Sequence, residues 1–577
     1  MNSRSWVRGA VWGLIALAFA GTLASCWVIA YRLAFGPQGS FYTFGFVGDE
    51  YFYAQRIQPL VAGATATNPV NGICDPAVVS EHYLEDACRA LLTVTGLNVI
   101  VFAWAWRVAF PVLLAGVMAL LAGACLRRRR PWSRQLCWAA GAAAFALLYV
   151  AYDLVVTYPP LQGWLHRFPT NVEYILSALT ALAYVRFVDV PDARRGAMLA
   201  LAGALLVYLR PYVAVPWGIA LGSGMIYCLA ARRMSWRAAL STAAVLLAAL
   251  APWLLIHWCN SRSAVYRDLM ARYYWAPGYF VHKLWLTYVG VAAVFTVAGF
   301  LTPKRVRVSV WSCALAMFSV PFISSLLPFA SELLLQERYN AFFLVTLGAA
   351  GMLVLRAGVE GWRGTAGWRR ARAWAAALAL FAAVGGGVVV CRNASFDLLS
   401  YKFSQYPSVV SDLPYVPAYK WIRGNTPPDA LFIVDDGYDW SLEPRVNKHG
   451  QLVISAVAPD GRGTLTLDDL FQLVARRRCV YAERLYVNAL ATADLVQLAY
   501  LQRGTFGLPV GEGAYHAALR KFRPTHILWR KGRAPIPRGF GRELQQPEGS
   551  KVVYADDMCE VWELRYADDA ETQMKGR

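Results

Sequence analysis

The sequence predicts an α-helical multi-pass membrane protein, with about eleven transmembrane helices and a C-terminal extracytoplasmic α/β domain. Three observations support this prediction. The chain has 577 residues, of which 57% are hydrophobic and only 16% are charged, and this composition excludes an ordinary soluble protein. Several apolar runs are long enough to cross a hydrocarbon core of about 30 Å. After residue 391 the composition becomes mixed, as in a soluble domain.

The apolar runs define the predicted spans. We interpret the first as an uncleaved anchor, because no small-residue cleavage site follows it. The fifth is too short to cross the core alone at about 1.5 Å per residue, so we expect a broken or tilted helix that ends at Arg210 and Pro211. The spans are predicted at residues 11–31, 99–126, 136–157, 171–189, 197–209, 212–231, 239–258, 284–301, 308–328, 340–357 and 372–391.

Basic residues follow every second predicted span, as the positive-inside rule requires. The N-terminus is therefore expected in the cytoplasm and the C-terminus outside a cell inner (plasma) membrane. The net charge of +20 and the pI near 9.6 follow from this topology and from anionic headgroups. Because no nucleic-acid motif is found, nucleic acid is not an expected partner. The basic clusters are Arg127 to Arg130, Arg194 and Arg195, Arg232 to Arg237, Lys304 to Arg307, and Arg356 to Arg372.

The first predicted outer loop, residues 32–98, opens with two carboxylates in the stretch FVGDEYFYAQR. An acidic pair beside a membrane helix is costly unless it has a task, so we predict Asp49 and Glu50 as catalytic residues. The alternatives are that Asp49 only caps a surface helix over 49–62 and that Glu50 is solvated or paired with Arg56.

The same loop contains Cys74 and Cys88, and a disulfide between them is plausible in an oxidising compartment. The alternative is that the two thiols stay separate. No cysteine and histidine spacing indicates zinc, and no metal site is predicted.

The later outer loops are richer in arginine than the topology rule allows, which indicates an anionic ligand such as a phosphate. The second loop, 157–171, contains His166 and Arg167, and the fourth, 329–339, contains Glu337, Arg338 and Tyr339. The alternatives are interfacial placement for His166, Arg167 and Tyr339, a local ion pair between Glu337 and Arg338, and satisfaction of freed carbonyls by Arg210.

Residues 392–577 are predicted to form the α/β domain, and residues 1–391 the membrane domain. About 185 residues suffice for an independent core. YVPAYKWIRGNTPPDALFIVDD is typical of an amphipathic helix, a turn and a buried strand ending at Asp435 and Asp436. Further strands are predicted at QLVISAV, THILWR, KVVYAD and CEVWEL, and further helices at 467–478 and 482–501.

A carboxylate facing arginines across the outer end of a helical bundle suits transfer of a sugar from a lipid phosphate. The carboxylate would deprotonate the acceptor, and the arginines would stabilise the departing phosphate. Such a reaction needs no nucleotide, and the sequence shows no Walker loop.

Five short patches, with the topology, resemble the class C glycosyltransferases (GT-C fold), which include protein O-mannosyltransferases and lipid A aminoarabinose transferases. The patches are GDEYFYAQR at 48–56, LHRFPTN at 165–171, YLRPY at 208–212, QERY at 336–339 and WIRGNTPPDA at 421–430. The resemblance implies a polyprenyl-phosphate sugar donor and an envelope glycan, lipid or protein as acceptor.

The resemblance also assigns roles to residues. It implies Asp49 as the base, with Glu50 beside it. It implies Arg338, then Arg167, as donor-phosphate ligands, and we add Arg210 to these. We expect substrate contacts from Arg56, His166, Glu337 and Tyr339. No clear D-x-D element is present, so no cofactor is expected; a divalent metal is possible in this family but is not indicated.

Two other functions stay open at this point. A transporter or flippase of a lipid-linked or anionic substrate would carry ionisable residues at the bilayer midplane and show paired halves. Here the notable charges cluster at the outer boundary, and no half repeats the other. A non-catalytic assembly protein would tolerate the loss of Asp49.

Overall fold

The structure is a computed structural model. It describes residues 83–97, 99–126, 171–263, 415–434, 441–446, 452–457, 471–480, 512–531 and 550–566, with isolated positions elsewhere. The chain divides into two compact units. The first includes residues 103–255, and the second includes residues 83–102, 256–263 and 415–566.

Five described helices coincide with predicted spans. A helix pairs its backbone N–H and C=O groups with one another, so it is the structure expected for a long apolar run that crosses a membrane. A sixth, α1, covers Tyr83–Thr95 within the first predicted loop, where no helix was expected. The five are α2 (Val99–Leu126), α3 (Val172–Asp189), α4 (Ala193–Leu209), α5 (Pro211–Ala230) and α6 (Trp236–Ser261). The predicted spans 11–31 and 372–391 lie outside the described residues, and 136–157, 284–301, 308–328 and 340–357 are described only at some positions.

Two of these helices, α5 and α6, are long and apolar enough to cross a membrane. On α6, Leu240, Leu247 and Leu254 recur every seventh residue and are 65%, 61% and 46% exposed. Trp236 and Trp258 stand near its two ends, about 33 Å apart at 1.5 Å per residue. An exposed leucine stripe between two tryptophans is the surface that a lipid bilayer covers.

Gly224 of α5 lies directly against Tyr184 of α3, and a Cβ at this glycine would overlap the phenol. We expect Gly224→Ala to destabilise the protein by about 1–3 kcal/mol, since neither helix can yield without moving its neighbours. The matched control is Gly218→Ala on the same helix, where a Cβ meets nothing within 4 Å. Thermal unfolding in detergent checks both variants. Equal midpoints for the two would contradict the close contact.

The C-terminal residues form a five-stranded mixed sheet in the order β4-β1-β5-β7-β6, as an α/β domain requires. Strand β1 is parallel to β4 and β5, and β7 is antiparallel to β5 and β6. A separate antiparallel pair joins β2 to β3. The strands are β1 (Leu431–Val434), β2 (Ser441–Val446), β3 (Leu452–Val457), β4 (Arg478–Val480), β5 (His526–Arg530), β6 (Ser550–Ala555) and β7 (Cys559–Leu564).

Both faces of the central strand β1 are buried, since all four of its residues are inaccessible to solvent. Ile433 packs on one face with Ile527 and Tyr515. Phe432 packs on the other, with ring centroids 5.3 Å from Phe471. Helices therefore cover both faces, which explains the continuous apolar run of this strand. The helices of this domain are α7 (Val416–Asn425), α8 (Phe471–Ala475) and α9 (Glu512–Phe522).

The helix predicted over 467–478 is wrong at its end. It stops at Ala475, Arg476 takes a left-handed backbone with φ 55°, and Arg478–Val480 pairs with β1 as a parallel strand. Burial of Val480 in the sheet outweighs the helical propensity of the arginines. Strand β2 and helix α9 were not predicted. Of the helix predicted at 482–501, only two positions are described, and both are helical.

The disulfide proposed between Cys74 and Cys88 is not formed, since Cys88 is a buried free thiol. It lies on the buried face of α1 with Leu84 and Leu92, one turn away on either side. Burial, and then the charge of Glu85, raises the pKa of Cys88 to about 12. This thiol is therefore protonated and unreactive at neutral pH.

Candidate functional site

Arg210 is the one predicted site residue within the described part of the chain. The other predicted positions lie outside the described residues, so their roles stay predictions. These are Asp49, Glu50, Arg56, His166, Arg167, Glu337, Arg338 and Tyr339.

Arg210 stands at a break between two helices, as the sequence predicted. Its backbone, with φ −149° and ψ 72°, is not helical. Its N–H donates to the Leu206 carbonyl over 2.7 Å, which closes α4, and its own carbonyl accepts from Val213 over 3.1 Å, which opens α5. Pro211 at the first position of α5 cannot continue the preceding helix, because it has no N–H and restricts the residue before it. The break directs the Arg210 side chain away from the backbone hydrogen bonds of α4 and α5.

The Arg210 side chain forms a buried ion pair with Glu173 on the first turn of α3. Its Nε donates to Oε2 over 2.8 Å, and an Nη lies 2.7 Å from the same oxygen. The two side chains are only 14% and 3% exposed. A buried charge needs such a partner, because desolvation of an isolated one costs several kcal/mol. The pair therefore holds α3 to the α4–α5 break.

The chain that leads into α3 is fixed by a second polar contact. Trp106 Nε1 of α2 donates to Asn171 Oδ1 over 2.7 Å, and Asn171 is almost fully buried. Asn171 precedes the first helical residue, and its carbonyl accepts from the N–H of Tyr174 over 3.1 Å. Asn171 ends the LHRFPTN patch, so the patch and the ion pair adjoin.

The hydroxyl of Tyr208, two residues before Arg210, lies between a backbone carbonyl and a backbone N–H of α6. It donates to the Ala249 carbonyl over 3.0 Å and accepts from the Trp253 N–H over 3.2 Å. These two backbone groups would otherwise bond to each other, next to Pro252 inside the helix. The YLRPY patch, at the junction of α4 and α5, therefore contacts two further helices, α3 through Arg210 and α6 through Tyr208.

A polar stripe continues from Glu173 along α3. Ser177 and Thr180 follow at helical spacing, and both are fully buried. Within the described residues, neither hydroxyl has a hydrogen-bond partner. Buried hydroxyls without protein partners are where ordered water or a polar ligand group is expected.

The opposite end of α3 is basic. Arg233 donates to the Val188 carbonyl over 2.9 Å, and Arg195 lies beside Asp192, which caps α4. Val188 at this basic end and Glu173 are fifteen residues apart along α3, which corresponds to about 23 Å. The bundle thus has arginines from two predicted cytoplasmic connections at one end and the Glu173–Arg210 pair at the other.

Glu173 was missed by the sequence reasoning, although a signal was present. It is a carboxylate inside the first turn of a predicted span, two residues after the LHRFPTN patch. Its partner lies 37 positions away in sequence, and nothing in the sequence of either segment indicates the pairing. Among the described residues, no group of three or more potential metal ligands occurs.

Comparison with known proteins gives structural matches only. No family model and no curated protein matches the sequence. Similar solved structures include the mycobacterial arabinofuranosyltransferase AftD, with a TM-score of 0.46 and 15% identity, covering 98% of this chain and 42% of that chain. Another is the oligosaccharyltransferase of Archaeoglobus fulgidus, with a TM-score of 0.33 and 14% identity, covering 90% of this chain and 69% of that one.

The chain spans about two fifths of the length of AftD. By name, both proteins are enzymes that transfer sugars. At these TM-scores the matches assign no role to any residue of this chain.

Proposed function

We propose that this protein is an integral-membrane glycosyltransferase, which moves a sugar from a polyprenyl-phosphate donor to an acceptor on the extracytoplasmic side. The observation that carries the proposal is the Glu173–Arg210 ion pair at a helix break. Charges in a membrane bundle are costly and mark sites of function. The pair lies at the end of α3 opposite the basic residues of predicted cytoplasmic connections. An arginine in this place suits the phosphate of a lipid-linked donor.

In this proposal, Arg210 receives the donor phosphate while Glu173 holds the guanidinium in place. The donor phosphodiester carries one negative charge, as a carboxylate does, whereas the leaving lipid phosphate carries about two, so the guanidinium fork binds it more strongly as the bond breaks. Arg338 and Arg167 would complete the phosphate site from outer loops. As the bond to the anomeric carbon breaks, these cations stabilise the negative charge on the leaving lipid phosphate.

Asp49 would act as the base that removes the acceptor proton, with Glu50 beside it. Arg56, His166, Glu337 and Tyr339 would contact the substrates. The polyprenyl tail would lie in the lipid that the exposed leucine stripe of α6 faces. The proposed acceptors are a cell-envelope glycan, a lipid or a protein, and the reaction as written requires neither a nucleotide nor a metal.

A transporter or flippase remains the second candidate, because a buried ion pair and a polar stripe along one helix also suit a substrate pathway. A transporter or flippase acts between two compartments, whereas a glycosyltransferase needs only its donor and its acceptor. Purified protein in detergent can transfer a sugar, but it cannot transport one.

The test begins with cells that lack this protein, in which we expect one lipid-linked sugar to accumulate and one envelope glycan to lose a residue. The accumulated donor is then incubated with purified protein in detergent and with glycan from the deficient cells. Formation of the glycosylated product, followed by mass, supports the enzyme. Accumulation of a donor without any transfer in detergent would favour the flippase, and no change in donors would contradict both.

A further inference from the structure

Four arginines lie together at one edge of the C-terminal sheet. Arg476, Arg477 and Arg478 are consecutive and lead into β4, the edge strand beside β1. Arg423 stands in the last turn of α7. Arg477 connects the two groups, since its Nη2 donates to the Arg423 carbonyl over 2.7 Å. Four guanidinium groups therefore share a small region of one domain.

Arg477 has a structural task. Its Nε donates to Thr426 Oγ1 over 2.9 Å, and its Nη2 also donates to the Thr426 carbonyl over 2.6 Å. These contacts satisfy carbonyls at the C-terminal end of α7, which have no partner within the helix. Arg477 is buried, so its charge is fixed in place.

The other three arginines have no comparable task. Arg478 donates from one Nη to the Asp429 carbonyl, and its Nε is buried without a partner in the described residues. The same is true of the Nε of Arg476. Within the described part of the chain, no ion pair involves Arg423, Arg476 or Arg478. Arg423 is exposed, and Arg476 and Arg478 are partly exposed, so a solute can reach them.

The backbone at Arg476 is unfavourable for an arginine. Its φ of 55° is left-handed, at the position after a helix where glycine is usual. An arginine in this conformation is strained. Its guanidinium lies near those of Arg477 and Arg423, whose charges lower the pKa of Arg476.

The electrostatics of the cluster favour an added negative charge. Burial lowers the pKa of Arg476, Arg477 and Arg478, and the charge of Arg423 lowers it further for the first two. Among the described residues, the carboxylate of Asp429 acts in the opposite direction and raises the pKa of Arg477 and Arg478. Like charges held this close repel unless a counter-ion lies between them.

We propose that Arg423, Arg476 and Arg478 form a binding site for a phosphate group, in addition to the donor site of the membrane domain. Guanidinium groups match phosphate oxygens in pairs, and Arg477 provides a fixed positive charge behind them. The phosphate belongs either to a lipid headgroup or to a soluble phosphate-bearing ligand. The site lies in a different unit from Arg210 and does not depend on the transfer reaction.

The test uses full-length protein in phosphatidylcholine nanodiscs, titrated with pyrophosphate by calorimetry. In Arg423→Gln/Arg476→Gly, we expect binding to weaken at least about tenfold, since charge-assisted hydrogen bonds are lost. Glycine suits the left-handed position, so this variant should fold. The matched control is Arg520→Gln/Lys551→Gln, which removes the same charge from exposed positions of the same domain. Arg478→Gln should weaken binding on its own.

A second arm identifies the source of the phosphate. Nanodiscs that contain phosphatidic acid are compared with phosphatidylcholine discs by hydrogen exchange over residues 423–429 and 476–480. Protection by phosphatidic acid alone supports the site with a lipid headgroup as its ligand. Pyrophosphate binding that is lost in the variant supports it with a soluble ligand. Wild-type pyrophosphate affinity in the variant, or no response in either arm, overturns the proposal.

Discussion

Glu173→Gln is expected to lower the free energy of unfolding by about 3–5 kcal/mol, because it removes the carboxylate charge that faces the buried guanidinium of Arg210 at 2.7 Å. The effect should be visible as a lower midpoint of thermal unfolding in detergent. The matched control is Arg565→Gln, which removes one partner of an exposed pair with Glu563 at 3.4 Å. Exposed pairs contribute at most about 1 kcal/mol, so the control should unfold close to wild type.

The double variant Glu173→Met/Arg210→Met separates stability from function. Replacement of a buried ion pair by hydrophobic residues of similar volume is often nearly neutral, so this double variant should be more stable than Glu173→Gln and close to wild type. If Arg210 binds the donor phosphate, the KM for the lipid donor should stay raised although the fold is restored. Recovery of both stability and donor KM would show that the pair only supports the fold. A wild-type midpoint in Glu173→Gln would contradict the burial of the pair.

Asp49→Asn is expected to reduce sugar transfer by about 10²–10⁴-fold, the range that general-base catalysis contributes. Asparagine has nearly the same shape but cannot accept the acceptor proton. Insertion into the membrane and thermal unfolding should therefore be unchanged. The measurement is transfer from the lipid-linked donor by purified protein in detergent, with unfolding recorded on the same sample.

The matched control for Asp49→Asn is Asp557→Asn, in the exposed turn between β6 and β7. It makes the same chemical change in a part of the chain that the proposal assigns to no substrate. We expect normal transfer. If Asp49→Asn also retains normal transfer, this carboxylate is not the base, and the reading of Asp49 as a helix cap becomes the better one.

The helices α2 to α6 and most of the described strands followed from the sequence, because hydropathy and alternation are local properties. The predicted span 171–189 begins one residue before α3 and ends with it. The predicted span 212–231 begins and ends one residue after α5. The Arg210 break was also predictable, since Pro211 restricts the residue before it. Strand β4 was not, because three residues adjoining an arginine run become a strand only by pairing with β1.

The candidate site was less predictable than the fold. Arg210 was identified from its place beside a proline, but its pairing with Glu173 depends on how α3 packs against the α4–α5 break. The contact of the Tyr208 hydroxyl with the backbone of α6 likewise needs a specific packing of two helices, and it lies next to a proline nine residues before the end of α6. The predicted disulfide was wrong for a related reason. The burial of Cys88 on one face of α1 depends on tertiary packing, which the local sequence does not show.

The distance between Trp236 and Trp258 also bears on where the protein can reside. Indole rings prefer the headgroup level, so α6 fits best where these levels are about 33 Å apart. In a bilayer whose two headgroup levels are only about 27 Å apart, the helix would have to incline by about 35°, close to the upper limit of about 40° for such helices. For α6 as a membrane-spanning helix, hydrophobic mismatch therefore predicts a preference for thicker membranes.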